Sequence, residues 1–503
     1  MYSVKKYRIL TYTCIIYQTL MNKSRFVSTE KLCALATLVV GGWLLISCAD
    51  TYDGKDTFES DVRNAQLSSP SEADITITPN TEGDRMTIAW PVVHGASGYE
   101  LFLYDLSNET VIRDTIDGCS FTTSREEDVN YRLEIRTLGN AKLNNSDAAA
   151  ATEKLFNSFE ATFATIPEGD LYAYFTANPI PEDSVGVNLN YDLAPGGQYT
   201  VSQVLDFGKF TVTLRSTNKT NNAIITYEAE GGLATSSGFK AKYLTFECGA
   251  STQPVLALSE NPNPDILDAD HNNHHQITDP IAFQSCQVNN VNRTFMFDNK
   301  VKYCVKTFSI TNTVVKFTPD DKMSSTAYFQ IYDGGGFFND FTATNCTFWA
   351  ATNNKVNYFI RYNNSGRCDR AGYLTNSINF RNCTFYNIAK EGQMANHGGF
   401  DGRATSNYDI TNNIFVDCGS GQVPRRITGR INNDAVNNFA YNTYWFDGAP
   451  ETEGFSTNSY DKSGNALQTD PAFVDPANGN FTPTGADQVA RKTGDPRWLT
   501  TND

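Results

Sequence analysis

Asn345-Cys346-Thr347-Phe348 returns as Asn382-Cys383-Thr384-Phe385, and weakened copies follow at Asn413-Ile414-Phe415 and Asn442-Thr443-Tyr444. Earlier echoes are Leu244-Thr245-Phe246-Glu247-Cys248 and Phe283-Gln284-Ser285-Cys286-Gln287-Val288. Counted from the cysteine position, the intervals are 286 − 248 = 38, 383 − 346 = 37, 414 − 383 = 31 and 443 − 414 = 29. A short apolar-polar strand that recurs at such intervals, with an asparagine at a set offset before an aromatic, is the pattern of a parallel β-helix. In that fold like residues stack on like from coil to coil. A propeller would keep a more regular period near ~40–50 residues, and a second β-sandwich has no cause to repeat one tetrapeptide. Amphipathic helical spacing is scarce. The larger part of the chain, residues 170–485, is therefore predicted to be a right-handed parallel β-helix of about seven to ten coils, with 486–503 as a tail.

Upstream, residues 71–166 alternate with period two. Asp74-Ile75-Thr76-Ile77-Thr78, Arg85-Met86-Thr87-Ile88-Ala89-Trp90 and Tyr99-Glu100-Leu101-Phe102-Leu103-Tyr104 are strands separated by turns. Tyr131-Arg132-Leu133-Glu134-Ile135-Arg136, with Trp90 before it, resembles the fibronectin type III sandwich, whose core holds a tryptophan on an early strand and a tyrosine corner on a late one. That resemblance makes Trp90 and Tyr131 packing residues and the module a spacer.

The leader decides location. Lys23, Arg25 and Lys31 precede Leu32 to Ile46, an apolar run of 46 − 32 + 1 = 15 residues, short of the ~20 a spanning helix needs. Leu45-Ile46-Ser47-Cys48 resembles the lipobox of bacterial lipoproteins, which implies a signal peptide over 1–47 and a lipid anchor on Cys48. Residues 1–20 read as an upstream extension, with Met21 where such a signal would begin. Asp50, Asp53, Asp56, Glu59 and Asp61 crowd the stretch 48–70, an acidic tether expected to stay solvated. Its position resembles the export signal of Bacteroidetes surface lipoproteins and implies an outer-membrane, outward-facing protein. The net charge of −16 argues against nucleic acid as a partner and against membrane contact beyond the anchor. The eleven cysteines show no CxxC pair and no zinc spacing. Those beyond the leader read as small core hydrophobes.

Asn190-Tyr191-Asp192-Leu193, Asp206-Phe207-Gly208, the run Tyr358 to Gly372, Tyr444-Trp445-Phe446-Asp447-Gly448, Thr469-Asp470-Pro471-Ala472-Phe473 and Gly494-Asp495-Pro496-Arg497-Trp498 widen the resemblance. Together they are similar to lipoproteins of uncharacterised domain families in gut Bacteroidetes. Those proteins join a fibronectin-like module to a right-handed β-helix shaped like that of pectate lyases. The resemblance spans nearly the whole mature chain. It implies a cell-surface role in handling polysaccharide, with outer-membrane uptake machinery as partner.

Against the acidic background an arginine-rich zone stands out: Arg361, Arg367, Arg370, Arg381, Arg403, Arg425, Arg426 and Arg430. From each coil's cysteine position, Arg367 lies 367 − 346 = 21 residues on, Arg403 lies 403 − 383 = 20, and Arg430 lies 430 − 414 = 16. Similar offsets on stacked coils can line one face, and guanidinium forks pair bidentately with carboxylates. Three readings follow. A binding protein would grip an acidic, uronate-containing polysaccharide with Arg361, Arg425, Arg426 and Arg430 while Trp349, Tyr358, Tyr362 or Trp445 contact the sugar. A lyase would use Arg367, Arg370 or Arg403 as base or neutraliser, with Tyr362 as proton donor and calcium as the cofactor to consider. In a structural rod the arginines would pair with Asp369, Asp401, Asp409 and Asp417. No acidic trio beside the arginines supplies calcium ligands, and Asp320-Asp321 with Asn396-His397-Gly398-Gly399 departs from the polygalacturonase pattern. Asp265 to His275 holds three histidines but reads as an exposed loop between prolines, and Gly334-Gly335-Gly336 as a bend.

Overall fold

The computed structural model describes residues 61–80, 84–107, 109–319, 326–351, 356–362, 368–396, 404–428, 435–451 and 461–499. Strand pairing divides them into two all-β units. The first is a seven-stranded antiparallel sandwich. Thr76–Pro79, Arg85–Ala89 and Ser120–Ser124 form one sheet, and Ala96–Asp105, Thr110–Ile116, Asn130–Gly139 and Thr152–Asn157 form the other. Alternation buries Ile88, Leu101, Leu133 and Ile135 between the sheets. Trp90 meets Tyr99 edge-on at 5.3 Å. The Tyr131 hydroxyl accepts the Glu126 N–H at 3.1 Å, closing the tyrosine corner.

Ala164–Ile166, placed by sequence at the end of this module, is instead the first strand of the solenoid and pairs in parallel with Asn188–Leu193. Residues 61–70 are not a solvated tether. Gln66 bridges Ser146, and Leu67 is buried, because the chain here donates and accepts backbone hydrogen bonds with Leu143 and Ser146. Of the leader, Cys48 and the first sixty residues lie outside the described residues.

The solenoid has three parallel faces. Face A runs from Ala164–Ile166 to Val436–Ala440, face B from Gly169–Asp170 to Thr443–Phe446, and face C is a seven-stranded sheet from Val204–Asp206 to Gln393–Asn396. Among the described residues, seven coils carry all three strands. One such coil is Phe337–Thr344, Thr347–Ala350 and Tyr358–Tyr362. The helices Leu171–Ala177 and Val423–Thr428 stand near the two ends and close the stack.

The corner between faces A and B explains the repeated tetrapeptide. One residue there adopts positive φ in successive coils: Tyr243 at 57°, Ser285 at 52°, Asn312 at 50°, Asn345 at 55°, Asn382 at 52°, Asn412 at 56° and Tyr441 at 53°. Asparagine tolerates that region better than most residues. Its amides also bond between coils, Asn345 to Asn312 at 3.1 Å and Asn382 to Asn345 at 3.2 Å. The next residue points inward. Cys346 and Cys383 are fully buried, and their thiols donate to the carbonyls of Ile310 and Ala343 in the preceding coil.

Register corrects the count. Thr384 pairs with Ile414, and Ile414 with Thr443. Asn413 and Asn442, not Ile414 and Thr443, therefore take the cysteine position, and their buried amides bond each other at 2.9 Å. Likewise Thr245 pairs with Gln287, so Cys286 follows from Leu244 while Cys248 lies at the far end of its strand. Inside face B, Phe348, Phe385, Phe415 and Tyr444 stack at 5.2, 4.7 and 5.6 Å.

Residues 486–499 are no loose tail. They return along face B: Gln488 donates to Thr443, Gly494 N–H to the Asn412 carbonyl, and Asp495 accepts from Thr347 at 2.8 Å. Trp498 donates to the same Thr347 hydroxyl.

Candidate functional site

Face C presents an outward row from Asp206 through Ala234, Ala257, Phe297 and Gln330 to Arg361 and Asn396. On Tyr358–Tyr362, strand alternation sends Ile360 and Tyr362 into the core and leaves Arg361 half-buried on the surface. Its guanidinium lies 3.6 Å over the Tyr332 ring and 5.0 Å from that of Tyr358. Among the described residues Arg361 meets no carboxylate, and its Nε is buried with no hydrogen-bond partner. That sets it apart from Arg381, whose Nε is 2.5 Å from Asp409 on the next coil of face A, and from Arg215, held 2.7 Å from Asp192.

Arg370 lies exposed in the turn Cys368–Ala371, at the passage from face C back to face A. Burial lowers the Lys302 ammonium below its usual value, and the charge of Arg370 lowers it further. The two cations stand on the same edge of the solenoid, in turns two coils apart. The His-containing stretch braces this turn and is not a solvated loop. Leu267–Asp268 and His274–Ile277 form a hairpin, and the second strand pairs in parallel with Tyr303–Thr311. Gln276 donates to the Ala371 carbonyl at 2.9 Å, and Tyr373 donates to Gln276. His274 is fully buried edge-on to Phe337, and burial holds its imidazole below the usual value. His271 binds Asp268 at 2.7 Å.

The other residues singled out by sequence disperse. Tyr362 is 0% exposed and packs on Phe337 and Phe338, so it reaches no sugar and protonates none. Trp349 and Trp445 stand on face B, away from Arg361. Trp349 faces outward but is covered by the returning C-terminal segment, with Phe481 5.6 Å from its ring. Arg425 is exposed and Arg426 half-buried on the helix Val423–Thr428, which packs on Gln393–Asn396 at the end of face C. Of the proposed acid partners, Asp409 does bind an arginine, whereas Asp417 binds Lys390 at 3.2 Å. Arg367, Arg403 and Arg430 lie outside the described residues. Each falls in the chain between a face C element and the next face A strand.

No group of three or more His, Cys, Asp or Glu side chains among the described residues converges to hold a metal ion. These residues therefore assemble no carboxylate cluster of the kind that would hold calcium.

Under the turn Gly334-Gly335-Gly336, Asp298 is 0% exposed and accepts the Gly334 N–H at 2.7 Å and the Lys300 N–H at 3.1 Å. Burial pushes its carboxyl up to about 6, with Asp333 adding to the rise and the two N–H donors opposing it. A raised folded pKa favours the protonated acid, so the stability it allows is present in full below about 4 and is lost as pH rises to about 6, by roughly 3 kcal/mol. Asp298→Asn is expected to remove that slope. The difference in denaturant midpoint between variant and parent should grow in the variant's favour from pH 4 to pH 6.5. An identical difference at both pH values would refute the assignment.

Sequence reasoning missed Lys302 and Tyr332. Tyr332 lies on the coil before that of Arg361 and Lys302 two coils before the turn that holds Arg370, and no local signal marks either.

Three family models match the chain: DUF4992 over residues 22–194, DUF4957 over 197–351 and DUF5123 over 378–498, each described as a domain of unknown function. No curated protein matches. Among solved structures, the pectate lyase PelI from Erwinia chrysanthemi in complex with tetragalacturonic acid is similar at 11% identity. The similarity covers 64% of this chain and 85% of that one, with a TM-score of 0.15. The parallel β-helix assigned here stands on the strand pairing of this chain. By sequence, the chain is similar over three consecutive stretches to three families of unknown function.

Proposed function

We propose that this protein binds acidic, uronate-containing polysaccharide along face C, without catalysis, as the capture component of a glycan-uptake system at the cell surface. The observation that carries the reading is Arg361. A guanidinium laid flat on Tyr332, beside Tyr358 and paired with no described carboxylate, keeps its fork available to a ligand carboxylate while an aromatic fixes its plane. Arg370, in the turn after this strand, and Lys302, in the turn two coils earlier, add positive charge to a chain whose net charge is −16. The lipid anchor on Cys48 belongs to the same proposal. Fatty-acid labelling of the protein in cells that persists in Cys48→Ala would count against it.

Calorimetric titration of the mature chain with polygalacturonate oligomers tests the binding. Arg361→Ala is expected to weaken it by about 10–100-fold, the worth of a charge-assisted pair. Arg361→Lys should recover only part, because lysine keeps the charge and loses the planar fork. Parent-like binding by Arg361→Ala would overturn the reading.

A β-elimination lyase is the second reading, and the lowered Lys302 ammonium favours it. Lys302, which donates to the Asn272 carbonyl at 2.5 Å, would act in its amine form and take the C5 proton of a uronate as the C4–O bond breaks, leaving a C4=C5 double bond and a departing oxygen that takes its proton from water. Ultraviolet absorbance of the unsaturated product, lost in Lys302→Ala, would replace binding by lyase activity.

A further inference from the structure

Earlier on the same face the chemistry changes sign. The row from Asp206 to Phe297 dips at Ala234 and Ala257, which with Gly232 form the floor of a cavity of about 300 Å³. Small side chains on two consecutive rungs, between Asp206 on one side and Phe297 on the other, leave a depression two coils wide, ~10 Å at the spacing of stacked strands. Gln253, Glu260, Asn261 and Asn299 stand around it, and Val204 and Pro254 add apolar surface. Two of these side chains are already committed. Asp206 accepts from Ser259 at 2.5 Å and from the Gly208 N–H, and the Asn299 amide donates to the Leu258 carbonyl. Glu260 is exposed at the rim.

Among the described residues the lining holds two carboxylates, three amides and no lysine, arginine or histidine. A uronate seated there would bring its charge against Asp206 and Glu260 with no cation to offset it. Carboxylates and amides accept and donate to hydroxyl groups, and the methyl floor suits the C–H face of a sugar ring. Ala257 lies three rungs from Arg361, ~14 Å along the coil axis, so both places are within reach of one short oligosaccharide.

We propose that this cavity is a subsite for an uncharged, hydroxyl-rich sugar residue, and that the ligand of face C is a heteropolymer carrying uronate and neutral residues in one chain. The proposal rests on the glycan-binding reading of face C.

Calorimetry on the mature chain with size-matched uronate-only, mixed and neutral-only oligosaccharides tests it, using Ala257→Leu to fill the floor and Glu260→Arg to reverse the charge at the exposed rim. The parent is expected to bind the mixed oligomer about tenfold more tightly than the uronate-only one, the worth of one or two satisfied hydrogen bonds. Ala257→Leu should erase that preference and leave uronate-only affinity unchanged, and Glu260→Arg should narrow it by raising uronate-only affinity. Equal parent affinities for the two oligomers, or a preference intact in both variants, overturns the subsite. If Arg361→Ala still weakens uronate binding in that case, the function stands and the subsite alone fails. If Arg361→Ala changes nothing while neutral-only binding is lost in Ala257→Leu, the acidic-ligand reading fails and the subsite survives.

Discussion

Gly336→Ala is expected to destabilise the solenoid by roughly 4 kcal/mol or more, at the far end of what single substitutions do. A Cβ on Gly336 would lie 2.0 Å from the Tyr303 carbonyl oxygen, and one on Gly334 would lie 2.0 Å from that of Val301. Both obstacles are backbone, so no rotamer change relieves them. The strand that would have to yield, Tyr303–Thr311, is paired on both sides, with Ile281–Gln284 and with Phe337–Thr344. The triple glycine is thus a close approach between consecutive coils, and the same turn supplies the Gly334 N–H that Asp298 accepts. Because each coil touches only its neighbours, damage here should divide the stack into blocks. Guanidinium unfolding followed by circular dichroism should show a lowered midpoint and a broadened or two-step transition. A sharp, parent-like transition in both Gly336→Ala and Gly334→Ala would show that the turn can move aside.

Lys242→Met is expected to cost about 3–5 kcal/mol, the penalty for stranding a buried charge. Asp128, 0% exposed at the corner before the sandwich strand Asn130–Gly139, accepts from the Lys242 ammonium at 2.8 Å and from the Tyr243 hydroxyl at 3.0 Å. Lys242 also binds Glu127 at 2.6 Å. These contacts bolt the sandwich to face A, supported by Asn130 donating to the Thr217 carbonyl. Methionine keeps the stem volume and removes the charge, so Asp128 would be left with the tyrosine alone. Adding Asp128→Asn to Lys242→Met should recover part of the loss, since the stranded charge is what destabilises. Thermal unfolding of the four proteins of this cycle gives the coupling, and independent, additive effects would sink the argument.

The parts of the fold that were legible in sequence are those set by one coil. The αL corner asks for asparagine, and the stacked interior asks for an aromatic two residues after the cysteine position, so Asn345, Cys346 and Phe348 announce the solenoid by themselves. Where a coil swaps one asparagine role for the other, as at Asn412 and Asn413, spacing could not say which residue turns outward and which inward. Trp349 illustrates the same limit. Alternation put it on the outer side of its strand, and nothing local told that Phe481, from 132 residues further along the chain (481 − 349), would cover it.

The arginines divide along that line. Their abundance in an acidic chain, and the β-helix that arranges them, are consequences of composition and of a repeat whose period is short enough to read. Which of them remains available to a ligand was decided by partners about thirty residues away on an adjacent coil. Asp409 claims Arg381, while Tyr332 supports Arg361 from below without neutralising it. In a solenoid every outward side chain takes its neighbours from the coils before and after it. Charge and periodicity are therefore written in the sequence, whereas pairing and exposure are settled only when the coils stack.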